Sequence, residues 1–125
     1  MSVDYYFSAG YGAAGTFESP EDLPGNLKKL DWDNLYDGDP GIALPDGIEF
    51  DVGGNSMSGP RRWSIMVKRT VKRVDKYGTS YPDTTLNLIT ELGDVTVDEA
   101  QMLADVLFRL DIDASIGWRF LVDVS

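Results

Sequence analysis

The 125-residue chain contains no cysteine and no histidine. The first absence removes disulfides, zinc-thiolate centres and cysteine nucleophiles together, and leaves the redox compartment open. The second removes the usual general base near neutral pH, the Ser-His and Cys-His couples, and the commonest transition-metal ligand. No apolar run approaches the ~18 residues of a membrane span, and Met1 to Phe7 shows no basic region followed by an apolar core. A soluble, cytoplasmic protein with no membrane partner is expected. A chain of this length is expected to form one domain, residues 1–125, that buries about two thirds of its unfolded surface without a covalent staple.

Positive charge is scarce and unevenly placed. Lys and Arg number 11 against 21 Asp and Glu, a formal net charge of −10. Seven of the eleven bases, Arg61, Arg62, Lys68, Arg69, Lys72, Arg73 and Lys76, lie between positions 61 and 76. The flanks are acidic: residues 1–60 carry 11 acids and 2 bases, and residues 81–125 carry 9 acids and 2 bases. Such sorting offers a basic stripe to acidic surfaces, or an acidic remainder to basic ones. Alternatively, the basic strand lies between its own acidic neighbours and neutralises them. The overall balance argues against general binding to nucleic acid or anionic membrane.

Hydrophobic periodicity supplies the elements. Val3, Tyr5 and Phe7 alternate with polar residues as a strand does, and the glycine and alanine stretch 9–15 reads as a loop after it. Ser19-Pro20-Glu21-Asp22 has the form of a helix start that Pro24 and Gly25 interrupt, with a second short helical piece around residues 27–30. Residues 31–46, rich in Asp, Gly and Pro, read as a long surface loop. Ile48, Phe50 and Val52 mark a second strand. Trp63, Ile65 and Val67 mark a third, expected to run to about Val74, with Met66 the exception on its polar side. The two should be antiparallel, which puts Glu49 and Asp51 on the same face as some of the bases. Residues 84–92 read as a fourth strand and 116–124 as a fifth. Between these two, Thr96-Val97-Asp98-Glu99 is a capping box that opens a helix over 97–110. A polar stripe of Asp98, Gln101, Asp105 and Arg109 leaves an apolar arc too wide for one contact surface. Met102 and Phe108, on either side of the stripe, are expected to be covered by residues 9–46 or by a second subunit, so a homodimer is one expectation. Short links around the helix favour a parallel pairing of the last two strands, or a final strand added elsewhere in the sheet. The fold class is α+β: a single mixed, mainly antiparallel sheet of about five strands, with one long helix packed on one face.

The chemical motifs are few. Gly10-Tyr11-Gly12-Ala13-Ala14-Gly15 matches the G-x-G-x-x-G of dinucleotide-binding turns, yet no helix opens at the third glycine to receive a phosphate. Residues 54–59 have P-loop glycine spacing, but Pro60 and Arg61 stand where Lys and Ser or Thr are needed. Asp31, Asp33, Asp37 and Asp39 could give oxygens to calcium, although Leu35 and Tyr36 break the EF-hand pattern, and a solvated acidic loop is the other reading. Trp63, Tyr77 and Tyr81 beside the basic strand could stack single-stranded nucleic acid. However, Trp63 is in phase with Ile65 and Val67 and therefore reads as core. No carboxylate pair stands out, so no catalytic residue and no cofactor is assigned.

The segment 95–107, with Thr96, Glu99, Ala100, Leu103, Ala104 and Leu107 in order, resembles the T-x-x-E-A-x-x-L-A-x-x-L helix near the C-terminus of small uncharacterised actinobacterial and actinophage proteins. The resemblance spans about a tenth of the chain. It implies an accessory protein of bacterial or phage origin, in which a strand meander precedes one long helix; here a further strand follows it. Three functions are weighed. The first is a non-enzymatic acidic protein-binding accessory factor, such as a phage- or bacteria-encoded inhibitor of a host or toxin protein. The second is a small anionic-ligand or nucleotide-binding domain using the glycines of 10–15 and the basic strand 61–76. The third is a structural, self-assembling phage component.

Overall fold

The computed structural model describes residues 4–29, 42–53, 61–77 and 93–124, with the side chains of 4–6, 74–77 and 123–124 excepted. In chain order its elements are β1 (Asp4–Phe17), β2 (Ile48–Gly53), β3 (Arg61–Val67), β4 (Lys72–Tyr77), α1 (Val97–Arg109) and β5 (Gly117–Val124). Single 3-10 turns form at Pro20–Asp22, Gly25–Lys29 and Lys68–Thr70. Among the described residues these make an open five-stranded antiparallel sheet with one α-helix against one face, the expected α+β class. The expected strand at 84–92, its parallel pairing with β5, and the turn after β2 at 54–60 lie outside the described residues. No described helix is long and apolar enough to cross a membrane.

β1 is the spine of the sheet. One edge pairs with β5, Tyr5 opposite Val124 through to Gly12 opposite Gly117. The other edge pairs with β4 along residues 4–9 and with β3 along residues 12–17. The glycine and alanine stretch expected to be a loop is therefore the second half of a 14-residue strand. Small side chains are what this position accepts. On the face away from the helix, the Met66 side chain lies in the trough left by Gly10 and Gly12, where an added Cβ would stand 2.8 Å from its sulfur or 2.9 Å from its Cγ. That is why Met66 is only 3% exposed despite its place on the polar face. On the helix side, the Trp63 indole fills the space above its partner Gly15. Gly12 is the tightest point: a Cβ there would meet the Ile65 carbonyl oxygen at 2.1 Å, and backbone cannot swing aside as a side chain can.

The strand expected to run from 61 to about 74 is broken in two. Between Met66, opposite Gly12, and Lys72, opposite Ala9, residues 67–71 face only Gly10 and Tyr11. The surplus is folded into the Lys68–Thr70 turn, in effect an enlarged β-bulge. This opening deprives the Tyr11 N–H of its ladder partner, and buried Thr70 restores it. Its Oγ1 accepts from Tyr11 N at 2.9 Å and donates to the Val67 carbonyl at 2.7 Å.

α1 starts where the capping box places it. Thr96 Oγ1 accepts from Glu99 N at 3.1 Å, and Glu99 Oε1 accepts from Thr96 N at 3.0 Å. The helix lays Leu103, Val106 and Leu107, with Leu110 at its C-cap, onto a core of Ala13, Phe17, Ile48, Phe50, Trp63, Ile65 and Val67. Burial of such side chains is worth about 1.5–3 kcal/mol each, so this face outweighs the cap of about 1 kcal/mol. At its C-terminus, Ile112 N donates to the Leu107 carbonyl and Asp111 N to the Phe108 carbonyl. That is the Schellman arrangement with Asp111, at φ 56°, where glycine is usual. The Gly25–Lys29 turn then seals the end: Asn26 N donates to the Leu110 carbonyl at 2.8 Å. Gly25, at φ +54°, admits this approach because a Cβ would lie 2.3 Å from the Asp111 carbonyl oxygen.

Two substitutions test these close contacts. Gly12→Ala should lower stability by about 1–3 kcal/mol through overpacking, whereas Gly93→Ala, with nothing within 4 Å of the new methyl, should be near neutral. Equal chemical-denaturation midpoints for the two variants would show that β1 does not pass this close to β3. Asp111→Gly should raise stability by a few tenths to about 1 kcal/mol by relieving the left-handed residue. An unchanged or lowered midpoint would mean that the carboxylate contributes something the backbone geometry does not show.

Candidate functional site

The seven bases do not form one stripe, because strand alternation and the 68–70 turn distribute them. Arg62 and Arg73 share the sheet face opposite the helix with Asp51 and Glu49 of β2. Arg62 is buried, its Nη2 donating to Asp51 Oδ2 at 3.1 Å and its Nη1 to Ser64 Oγ at 3.1 Å. Arg73 forms an ion pair with Glu49. Arg61, at the start of β3, donates from Nη1 to the Glu18 carbonyl at 3.0 Å. Lys68 and Lys72 are exposed, and Lys76 sits on β4 opposite Tyr5.

Arg69 has a distinct role that its sequence position did not reveal. It projects from the 68–70 turn onto the start of α1, where Nε donates to Glu99 Oε2 at 2.9 Å and Nη2 to Glu99 Oε1 at 2.6 Å. The same Nη2 also donates to the Asp94 carbonyl at 2.8 Å. One guanidinium thus holds the carboxylate that caps the helix. Hydrogen bonding to Arg69 first, and to the Thr96 N–H second, brings the Glu99 carboxyl down from 4.5 to about 2. The bidentate bond to Glu99 raises Arg69 in turn. The signal available in the sequence was the capping box alone; its partner stands 30 residues upstream.

Although Lys68 and Lys72 are exposed, the exposed charge of α1 and the residues that flank it is mainly acidic. Asp94, Asp98, Asp105, Asp111 and Asp113 are all exposed, with Arg109 among them. The acids of the 31–39 segment proposed for calcium, Asp31, Asp33, Asp37 and Asp39, lie outside the described residues. The glycine loop required for an anionic-ligand site is strand interior. Residues 10–12 pair with β5 and 12–15 with β3, the Tyr11 N–H is taken by Thr70, and Met66 and Trp63 cover the two faces, so the segment is not the open phosphate-binding loop that reading required.

The apolar arc of α1 is also narrower in practice than its periodicity suggested. Met102 is half-buried against the core, next to Gly47 in the segment leading into β2. Phe108, expected to be covered, is 85% exposed, as is Val97. The helix therefore keeps two large apolar side chains in solvent beside its acidic stripe. No protein-family model, curated protein or solved structure matches this chain.

The depressed Glu99 carboxyl has a defined pH signature. A carboxyl held below its unfolded value stabilises the fold above that value and ceases to do so as pH falls through the folded one. The difference in denaturation midpoint between the wild type and Glu99→Gln should therefore be largest above pH 4.5 and shrink toward pH 2. A difference constant across that window would show that the Arg69 bond does not form in the folded protein.

Proposed function

We propose that this chain is a non-enzymatic, acidic protein-binding accessory factor of bacterial or phage origin, which inhibits a host or toxin protein by covering a basic surface. The observation that carries this reading is the disposition of charge. Arg62, Arg69 and Arg73 are each paired with an acid of the same chain, Asp51, Glu99 and Glu49, while the aspartates of 94–113 are exposed. What a partner meets around α1 is thus mainly negative charge, even though the chain carries a strongly basic segment. The lack of histidine and cysteine supports a binding role over a catalytic one, since the thiol nucleophile and the imidazole base that usually activates a serine or cysteine are both missing.

Exposed complementary charges act mostly on encounter. They raise association rates and are screened over about 8 Å at physiological ionic strength. A partner captured at low salt should bind stoichiometrically and without turnover. Its association rate should fall about tenfold or more as salt is raised, while dissociation changes less. Asp111→Lys combined with Asp113→Lys should reduce the association rate further at low salt. A salt-independent association rate would move the interface off the charged surface, and catalytic turnover of the partner would overturn the reading altogether.

A further inference from the structure

β5 pairs with β1 along one side, and among the described residues no strand pairs with its outer edge. The direction of its backbone groups follows from Tyr11. The Tyr11 N–H is directed to Thr70, on the β3 and β4 side of β1. In an antiparallel ladder Tyr11 and its partner Trp118 are then a pair that exchanges no backbone hydrogen bond. Trp118 therefore turns its N–H and C=O away from β1, and by alternation so do Phe120, Val122 and Val124. Consistent with this, the Trp118 carbonyl accepts from Arg119 Nη1 at 3.2 Å. An edge of this kind is a template for a further strand. We propose that it is a homodimer interface, in which β5 pairs antiparallel with β5 of a second copy about a twofold axis perpendicular to the sheet. The two sheets become one. This inference does not rest on the protein-binding reading above.

The sequence of β5, Gly-Trp-Arg-Phe-Leu-Val-Asp-Val, selects both the occupant and the register. With the axis at Leu121, Trp118 stands opposite Val124 of the second copy and Phe120 opposite Val122, and the reverse. Each of these pairs joins two residues whose N–H and C=O point outward, so each exchanges both backbone hydrogen bonds. Aromatic residues meet β-branched ones on the helix side of the sheet, a favourable cross-strand pairing. On the other face Arg119 stands opposite Asp123, the one base of the strand opposite its one acid, twice by symmetry. Moving the axis to Phe120 sets Arg119 opposite Leu121 and Asp123 opposite Gly117. Moving it to Arg119 or Asp123 sets like charge against like. Only the axis at Leu121 joins base to acid. In the single chain the Arg119 guanidinium has no carboxylate partner among the described residues; it rests on the carbonyls of Ser115, at 2.7 Å, and Trp118. Pairing would exchange these contacts for Asp123 of the second copy and leave the Trp118 carbonyl to accept from the Val124 N–H. The other free edges are poorer partners for themselves. β2 holds Glu49 and Asp51 with no base, and β4 holds three bases to one acid, so each would bring like charges together.

Sedimentation equilibrium of the full chain, joined to residue-resolved amide hydrogen exchange, tests this. The wild type should show a monomer–dimer equilibrium at micromolar concentrations. As the dimer forms, the amides of Trp118, Phe120, Val122 and Val124 should become protected, while those of Arg119 and Leu121, already bonded to β1, should change little. Arg119→Asp should weaken the dimer about tenfold or more by setting acid against acid, and adding Asp123→Arg to it should restore association. Val122→Pro removes one outward N–H without touching the β1 ladder and should be monomeric; Arg119→Asp carries the same test should that variant fail to fold. A wild type that stays monomeric at high micromolar concentration would overturn the proposal, as would a dimer in which the four outward amides exchange as fast as in the monomer. Failure of the charge swap to rescue Arg119→Asp would overturn the register centred on Leu121.

Discussion

The rest of the fold depends on β1 being hydrogen-bonded along both edges, which requires its middle to be almost free of side chains. β5 on one edge and β3 with β4 on the other have β1 as their shared neighbour. At Gly12 the approach to β3 leaves no room for even a methyl group. A bulkier residue there would push β3 away and, with it, Trp63, Ile65 and Val67, which form the floor on which α1 rests. Glycine normally weakens a strand by roughly 0.5–1 kcal/mol. Here that loss is offset by the side chains of Met66 and Trp63, which occupy the vacated space and are themselves removed from water.

The position of α1 follows from this floor, but its ends are set by distant parts of the chain. Burial of Leu103, Val106, Leu107 and Leu110 dominates the energetics. The clamps at the ends contribute less, since surface ion pairs are worth about 0–1 kcal/mol and a backbone hydrogen bond about 1 kcal/mol net. Their effect is on geometry. Arg69 ties the first turn to the bulge between β3 and β4, and Asn26 ties the last turn to the segment after β1. The bulge therefore has two consequences. It lets Thr70 satisfy β1 internally, and it places a guanidinium where the helix begins. The basic segment that stands out in the sequence is in this sense largely structural.

What the sequence made legible and what it concealed divide along physical lines. Period-two alternation placed β2, β3 and β5, and the capping box placed the start of α1, because each is a local pattern read directly from neighbouring side chains. The pairing of Glu49 and Asp51 with bases of the next strands also followed from alternation. The second half of β1 was hidden because glycine and alanine carry no pattern: their suitability lies in the partners, Met66 and Trp63, some 50 residues away. The interruption at 68–70 was hidden because Lys68, Arg69 and Thr70 do not differ in type from their strand neighbours. Asp111 was hidden because a left-handed C-cap is signalled by glycine, and here an aspartate takes that conformation. Arg69 and Glu99 were each visible as charges, but only the tertiary fold joins them.

The outward ridge of α1 is unlike all of these features because the monomer does not need it. A single exposed apolar residue is ordinary on a protein surface. Two that are aligned on one helix, three turns apart and separated by a small residue, form a pattern of the kind that elsewhere in this chain identifies a buried face. The core face of α1 already satisfies the sheet, and Met102 is accommodated beside Gly47, so no described element of the fold demands Val97 or Phe108. The ridge also adjoins the acidic surface, with Asp98, Asp105 and Arg109 along one flank. Arg109, the one base in the last turn of α1, complements the negative end of the helix dipole and is the single positive charge among these exposed acids.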